Sequence, residues 1–228
     1  MPIFELIGPT GVGKTTLAQA YLRANAEGRP CTPAELARGQ AVTPRPGPAD
    51  AFLLGRLLPR LVDQHKGEGN IFDFYHRLDH FYRKLIQDAG LRHHYATRSV
   101  LDDDPVSHLF LADLLALASD EPRFAEFTRH RVYIFVENRV EQVLDNHARR
   151  AARTYRALNG FSRASLESKI VAPYREHMSQ FKAHLGKKSI QHFEIDLTLG
   201  LTHGVQALQA ALQECATSPT ARCPPAAP

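Results

Sequence analysis

Apolar residues along the chain fall either in short unbroken runs or at helical spacing, and the two patterns alternate. Ile3-Phe4-Glu5-Leu6-Ile7 has the form of a buried strand, and Thr16 to Leu22 continues as a helix. Asn25 to Asp50 has few periodic apolar positions and several prolines. It reads as an irregular connection holding one short helix at Pro33 to Arg38. Helical spacing returns from Phe52 to Val62, where Pro59 threatens a kink, and from about Phe72 to Asp88, with Gly90 expected to end the helix. Arg98 to Leu101 predicts a short strand, and Val106 to Ala118 a helix. Arg131 to Glu137 is the clearest β run, β-branched and aromatic as a buried parallel strand should be. A long polar helical stretch to about Lys182, a strand at Ile190 to Asp196 and a helix from Gly204 to Cys215 complete the order.

This alternation predicts an α/β fold with a mainly parallel sheet of four or five strands flanked by helices, joined by right-handed crossovers. The uncertain strand falls in Arg29 to Pro48, where its pattern is poorly marked. One domain is expected over residues 1–215. The proline-rich stretch 216–228 is expected to be a disordered tail.

The first strand runs directly into Gly8-Pro9-Thr10-Gly11-Val12-Gly13-Lys14-Thr15, a complete G-x-x-x-x-G-K-[ST] phosphate loop, followed by Thr16. A strand, a glycine-rich turn and a helix in that order aim backbone N–H groups and the helix's positive end at a polyphosphate. The glycines permit close backbone approach, Lys14 can reach the β/γ-phosphates, and the Thr15 hydroxyl can ligate Mg²⁺. Gly8 to Thr16 is therefore the expected ATP site.

Composition narrows the class. The chain has 228 residues, is 43% hydrophobic and carries a net charge of +4, enough for one buried core and a mild attraction for anions. Nucleic acid is not the favoured partner. Cys31, Cys215 and Cys223 lack metal-type spacing and predict reduced thiols. The chain shows neither an apolar signal segment nor a membrane-length apolar run, so a cytoplasmic protein is expected.

Two charged clusters extend the site. Asp102-Asp103-Asp104-Pro105 leaves the middle strand at the end where ligands lie in such folds. Asp102 is assigned to Mg²⁺, and Asp103 to orienting or deprotonating the acceptor. Asp104 is free to cap the helix after Pro105, and an acidic turn with only capping roles is the alternative. From Asp145 to Arg175 basic residues dominate, with Arg149, Arg153 and Arg156 on one helical face. That segment predicts a lid over about 138–175, with Arg149 and Arg153 neutralising charge on the migrating phosphoryl; a solvated basic face is the alternative.

The phosphate loop, Val100-Leu101-Asp102-Asp103-Asp104-Pro105, Val132 to Glu137 followed by an arginine-rich helix, and Phe193-Glu194-Ile195-Asp196 before a terminal helix together resemble the nucleoside/nucleotide kinase group, thymidylate kinases and their relatives. The resemblance implies a P-loop NTPase fold, phosphate and Mg²⁺ binding by Lys14 and Thr15, an acidic motif at Asp102 and Asp103, and lid arginines at Arg149, Arg150 and Arg153. The chain departs from that group in carrying Asp103 where thymidylate kinases and deoxynucleoside kinases place an arginine, which widens the acceptor beyond nucleosides.

The expected function is phosphoryl transfer from Mg-ATP to a small-molecule hydroxyl or phosphate, with the acceptor between about residues 72–98 and Asp103. A non-kinase P-loop regulatory protein or slow NTPase is the alternative. Arg77, Arg83, Arg92 and Arg98 are candidate acceptor contacts or surface ion pairs, and His76 and His80 read as a solvated helix face. Asn138-Arg139-Val140-Glu141 differs from the guanine-reading Asn-Lys-x-Asp motif at its second and fourth positions, which argues against a GTPase.

Overall fold

The computed structural model describes residues 1–25, 28–37, 47–68, 71–94, 98–154 and 162–217; within these, the side chains of 37, 64–68, 71–73, 93–94 and 150–154 are not described. The chain order is β1 (Ile3–Ile7), α1 (Lys14–Ala24), α2 (Pro33–Ala37), α3 (Pro48–Glu68), α4 (Ile71–His94), β2 (Val100–Asp102), α5 (Val106–Leu109), α6 (Leu111–Leu117), α7 (Glu121–Thr128) and β3 (Arg131–Glu137). It continues with α8 (Val140–Thr154), α9 (Arg163–Leu166), a π-helical turn at Glu167–Val171, α10 (Ala172–Lys187), β4 (His192–Asp196), a 3-10 turn at Leu197–Leu199 and α11 (Leu201–Thr217). Among the described residues no helix is long and apolar enough to cross a membrane.

The strands form one parallel sheet in the order β2-β1-β3-β4. The strand that the sequence marks poorly is reduced to a single parallel bridge, Cys31 to Val100, on the outer side of β2. Strand alternation sorts the core into two layers. Phe4, Leu6, Val132, Ile134 and Val136 pack with Leu17, Tyr21, Leu144, Leu208 and Leu212, beneath α1, α8 and α11. Ile7, Tyr133 and Phe135 pack on the opposite face with Leu53, Leu57, Phe110, Leu114 and Phe181, from α3, α6 and α10.

Four elements differ from the sequence reading. Gly90 does not end α4, which runs on to His94 and buries Leu91; an internal glycine costs a helix only about 1 kcal/mol, which such burial offsets. The helix expected over Val106 to Ala118 is broken at Phe110, whose ring is fully buried and whose backbone leaves helical geometry at φ −113°, ψ 20°. Helix α7 was not anticipated, although Asp120 caps it through the Arg123 N–H at 3.3 Å and Pro122 stands in its first turn. At the C-terminus, α11 reaches Thr217, inside the stretch expected to be tail; 218–228 lie outside the described residues. Helix α3 continues through Pro59.

One polar cluster lies inside the second layer. Arg131, fully buried, pairs with Glu5 across the sheet and with both carboxylate oxygens of Asp88 at 2.7 Å, and its guanidinium lies 4.1 Å from the centre of the Phe127 ring. Arg92 joins Asp88 to Asp50. Opposed charges at such depth are tolerated because each is paired and hydrogen-bonded; deleting one partner of such a pair typically costs about 3–5 kcal/mol.

Candidate active site

The phosphate loop occupies the gap between the end of β1 and the start of α1, and its glycines are required by their neighbours. A Cβ on Gly8 would lie 2.6 Å from the Val136 carbonyl oxygen, because β3 passes directly beside the loop. Gly11 and Gly13 have φ of +86° and +114°, the left-handed region that side chains disfavour. A Cβ on Gly11 would also come within 2.9 Å of the Val143 carbonyl oxygen on α8. Helix α8 and the turn before it are fastened to the loop by side chains: Asn146 Nδ2 on α8 donates to the Gly11 carbonyl at 2.7 Å, and Asn138 Nδ2 in the turn to that of Val12 at 3.3 Å.

Lys14 Nζ turns inward and donates to the Gly8 carbonyl at 2.6 Å and that of Pro9 at 3.4 Å. The ammonium thus sits inside the loop's curve, where an anion's oxygens would meet it. Thr15 and Thr16 are exposed on the first turn of α1. A cleft of about 370 Å³ opens over this turn, walled by Lys14, Thr15 and Thr16 on one side and by Asp103, Asp104 and His108 on the other. A second cavity, about 470 Å³, continues from it across Gly13, Thr16 and Asn146, and is closed by Arg139, Gln142, Leu197, Thr198 and Leu201.

The three carboxylates separate. Asp102 points into the buried layer, where its Oδ1 accepts the Asp104 N–H at 3.0 Å, and it forms no part of the cleft wall. Burial pushes its carboxyl up to about 6, against the opposing pull of Lys84 and the Asp104 N–H. Asp103 is half-buried on the wall and makes no ion pair among the described residues. Asp104 pairs with Lys84 at 2.6 Å and does not cap α5, whose first turn has no side-chain cap. Of the residues assigned to Mg²⁺, Thr15 therefore faces the cleft while Asp102 lies behind it. Among the described residues there is no group of three His, Cys, Asp or Glu side chains set to hold a metal. A hydroxyl and a nearby carboxylate still suit an ion held mainly by phosphate oxygens and water.

The basic residues also divide. Arg163 pairs with Asp145 at 3.0 Å, and Arg175 donates to the Asn138 carbonyl at 2.9 Å, so both brace the start of α8. Arg149 is exposed; the side chains of Arg150 and Arg153, and all of Arg156, lie outside the described residues. Within the expected lid segment, Val143, Leu144, Leu166 and Val171 are buried in the first core layer. Arg92 belongs to the interior ion cluster, Arg83 pairs with Asp79, and Arg77 and Arg98 are exposed. From that stretch of the chain, Lys84 reaches the acidic turn instead. His76 and His80 are exposed on α4, as expected of a solvated face.

His108, Leu197 and Thr198 on the walls had no role in the sequence reading, and Asn138, Arg139, Gln142 and Asn146 figured there only as part of the expected lid segment or, for Asn138 and Arg139, of a rejected guanine-reading motif. The spacing of Asn138, Gln142 and Asn146 at i, i+4 and i+8 puts a neutral amide stripe on an otherwise charged helix start, and this was the available signal. Tyr174, which touches His108 from α10, has no such signal.

No family model matches the chain, and no curated protein does. Among solved structures it is similar to a deoxyadenosine kinase from M. mycoides with bound dATP, at 8% identity over 93% of this chain and 100% of that chain, with a TM-score of 0.49. A shikimate kinase from Acinetobacter baumannii in complex with shikimate is similar at 15% identity over 96% of each chain, with a TM-score of 0.45. Both likenesses are distant, and the chemistry has to be read from the site itself.

Proposed function

We propose that this protein is a P-loop phosphotransferase that moves the γ-phosphoryl of Mg-ATP to a hydroxyl or phosphate of a small molecule. The observation that carries this reading is the composition of the continuous cleft. It has a phosphate loop with Lys14 and Thr15 on one wall, an acidic turn with Asp103 facing it, and a side cavity of nucleoside size beside Gly13. The triphosphate would lie along Gly8 to Thr16, and the base and sugar between Arg139, Gln142 and Thr198. The Thr15 hydroxyl, with Asp102 or Asp103 acting through water, would hold Mg²⁺, which would supply charge to offset that of the phosphates.

The remaining steps belong to side chains. Lys14 leaves its loop carbonyls to meet the phosphate oxygens. Asp103, which makes no ion pair among the described residues, accepts the proton of an attacking hydroxyl as the new O–P bond forms and the bond to ADP breaks. Arg149 and Arg153, past the anchored start of α8, are the candidates for stabilising charge on the transferring group. The test is ADP release across nucleosides, nucleotides, sugars and polynucleotide ends. A kinase gives acceptor-dependent ADP. Release that responds only to a protein or nucleic-acid partner would indicate a regulatory nucleotide-binding protein instead.

A further inference from the structure

His108 stands on α5, directly after the acidic turn, and forms part of the cleft wall opposite Lys14. Its Nδ1 lies 2.6 Å from the Tyr174 hydroxyl of α10. Tyr174 is itself partly buried, packed against the second core layer. A phenol O–H is a stronger donor than an imidazole N–H, and an imidazole nitrogen a stronger acceptor than a phenol oxygen, so the phenol proton goes to His108 Nδ1, which is then the unprotonated ring nitrogen. The ring proton of a neutral His108 consequently sits on Nε2, which has no hydrogen-bond partner among the described residues, on a ring that lines the cleft. Two elements, α10 and α5, thus hold one imidazole in one tautomer.

We propose that His108 presents a neutral Nε2–H donor to the terminal phosphoryl group held over the phosphate loop, with Tyr174 as the positioning residue that fixes its tautomer. This rests on the reading of the cleft as a triphosphate site. The surroundings favour the neutral ring: burial, then Lys14 from α1 and Lys84 from α4, hold its pKa well below the ordinary histidine range. Asp103 and Asp104 share the same wall, with Asp104 already neutralised by Lys84. A neutral donor hydrogen-bonds a phosphoryl oxygen without adding a further full charge, so the interaction does not depend on pH across the neutral range.

The test is nitrogen-15 NMR of the full chain labelled at histidine, with His108→Gln used to assign the signal. We expect the Nε2–H tautomer, unchanged between pH 6 and 8, with a shift of the Nε2 resonance on adding Mg²⁺ and a non-hydrolysable ATP analogue but a smaller one with ADP. Tyr174→Phe should release the tautomer preference while the chain stays folded by circular dichroism. A merely packing tyrosine would leave the tautomer as it was. Calorimetry with the same analogue should show a roughly threefold to tenfold weaker Kd for His108→Ala, the loss expected of one neutral hydrogen bond, and a smaller loss for His108→Gln, which keeps a donor. A doubly protonated ring at pH 7, an Nδ1–H tautomer, or tight analogue binding that leaves the His108 signal unmoved would overturn the proposal. Failure of the analogue to bind the unmodified protein would overturn the triphosphate reading itself, and this proposal with it.

Discussion

Asn146 Nδ2 donates to the Gly11 carbonyl oxygen at 2.7 Å, so the helix that follows β3 holds the crest of the phosphate loop from above. The loop's shape is therefore set by a residue 135 positions away as well as by its own glycines. A preformed loop binds phosphate without a further ordering cost.

Asn146→Ala should accordingly weaken ATP binding by about threefold to tenfold, the range for loss of one part-buried hydrogen bond. Isothermal titration with Mg-ATP measures it. An unchanged Kd would mean that the loop keeps its form without α8.

The glycines separate into positions with room and positions without. Gly8→Ala drives a methyl group against the Val136 carbonyl and should lower stability by about 1–3 kcal/mol in urea unfolding. Gly55→Ala, in the middle of α3 with open space around it, should instead raise stability by about 0.5–1 kcal/mol. Equal effects from the two would show that the close approach of β3 to the loop is wrong.

Asp102 gives the fold a pH signature. Its folded carboxyl titrates at about 6 against an ordinary 3.8, so the folded state holds the proton more tightly than the unfolded chain does. The associated stability is fully present below the unfolded value of 3.8 and is lost as pH rises through about 6. Above that pH the buried charge costs on the order of 2–3 kcal/mol. Asp102→Asn should therefore be more stable than the parent at pH 8, with a flatter stability profile between pH 4 and 6. Urea unfolding across that range checks it, and a variant that is less stable at pH 8 would show the carboxylate to be better compensated than its surroundings indicate. Retention of such a costly group beside the cleft is consistent with a role for Asp102 toward Mg²⁺.

What could be read in advance was what short stretches of chain decide. The strand Ile3–Ile7, the phosphate loop and the strand Arg131–Glu137 are specified by residues adjacent in sequence, and all three stand where the pattern put them. The break at Phe110 was not legible, because it is decided by the burial of that ring against α3, α4 and α10, which helical periodicity does not contain. The acidic turn was located, but the division of labour among its carboxylates was not. Lys84, eighteen residues before Asp102, decides it by claiming Asp104. In the same way, the contact of Tyr174 with His108 exists only once α10 has packed beside α5.

The central claim is phosphoryl transfer dependent on the loop lysine, and it is tested most directly by ADP release from Mg-ATP with and without acceptors, comparing the parent with Lys14→Ala. Lys14 donates to two loop carbonyls and acts on phosphate charge, so the variant should keep its fold. The account predicts acceptor-dependent ADP formation by the parent and its loss, by at least about a hundredfold, in the folded variant. Undiminished turnover by folded Lys14→Ala, or ADP formation indifferent to every acceptor, would contradict it.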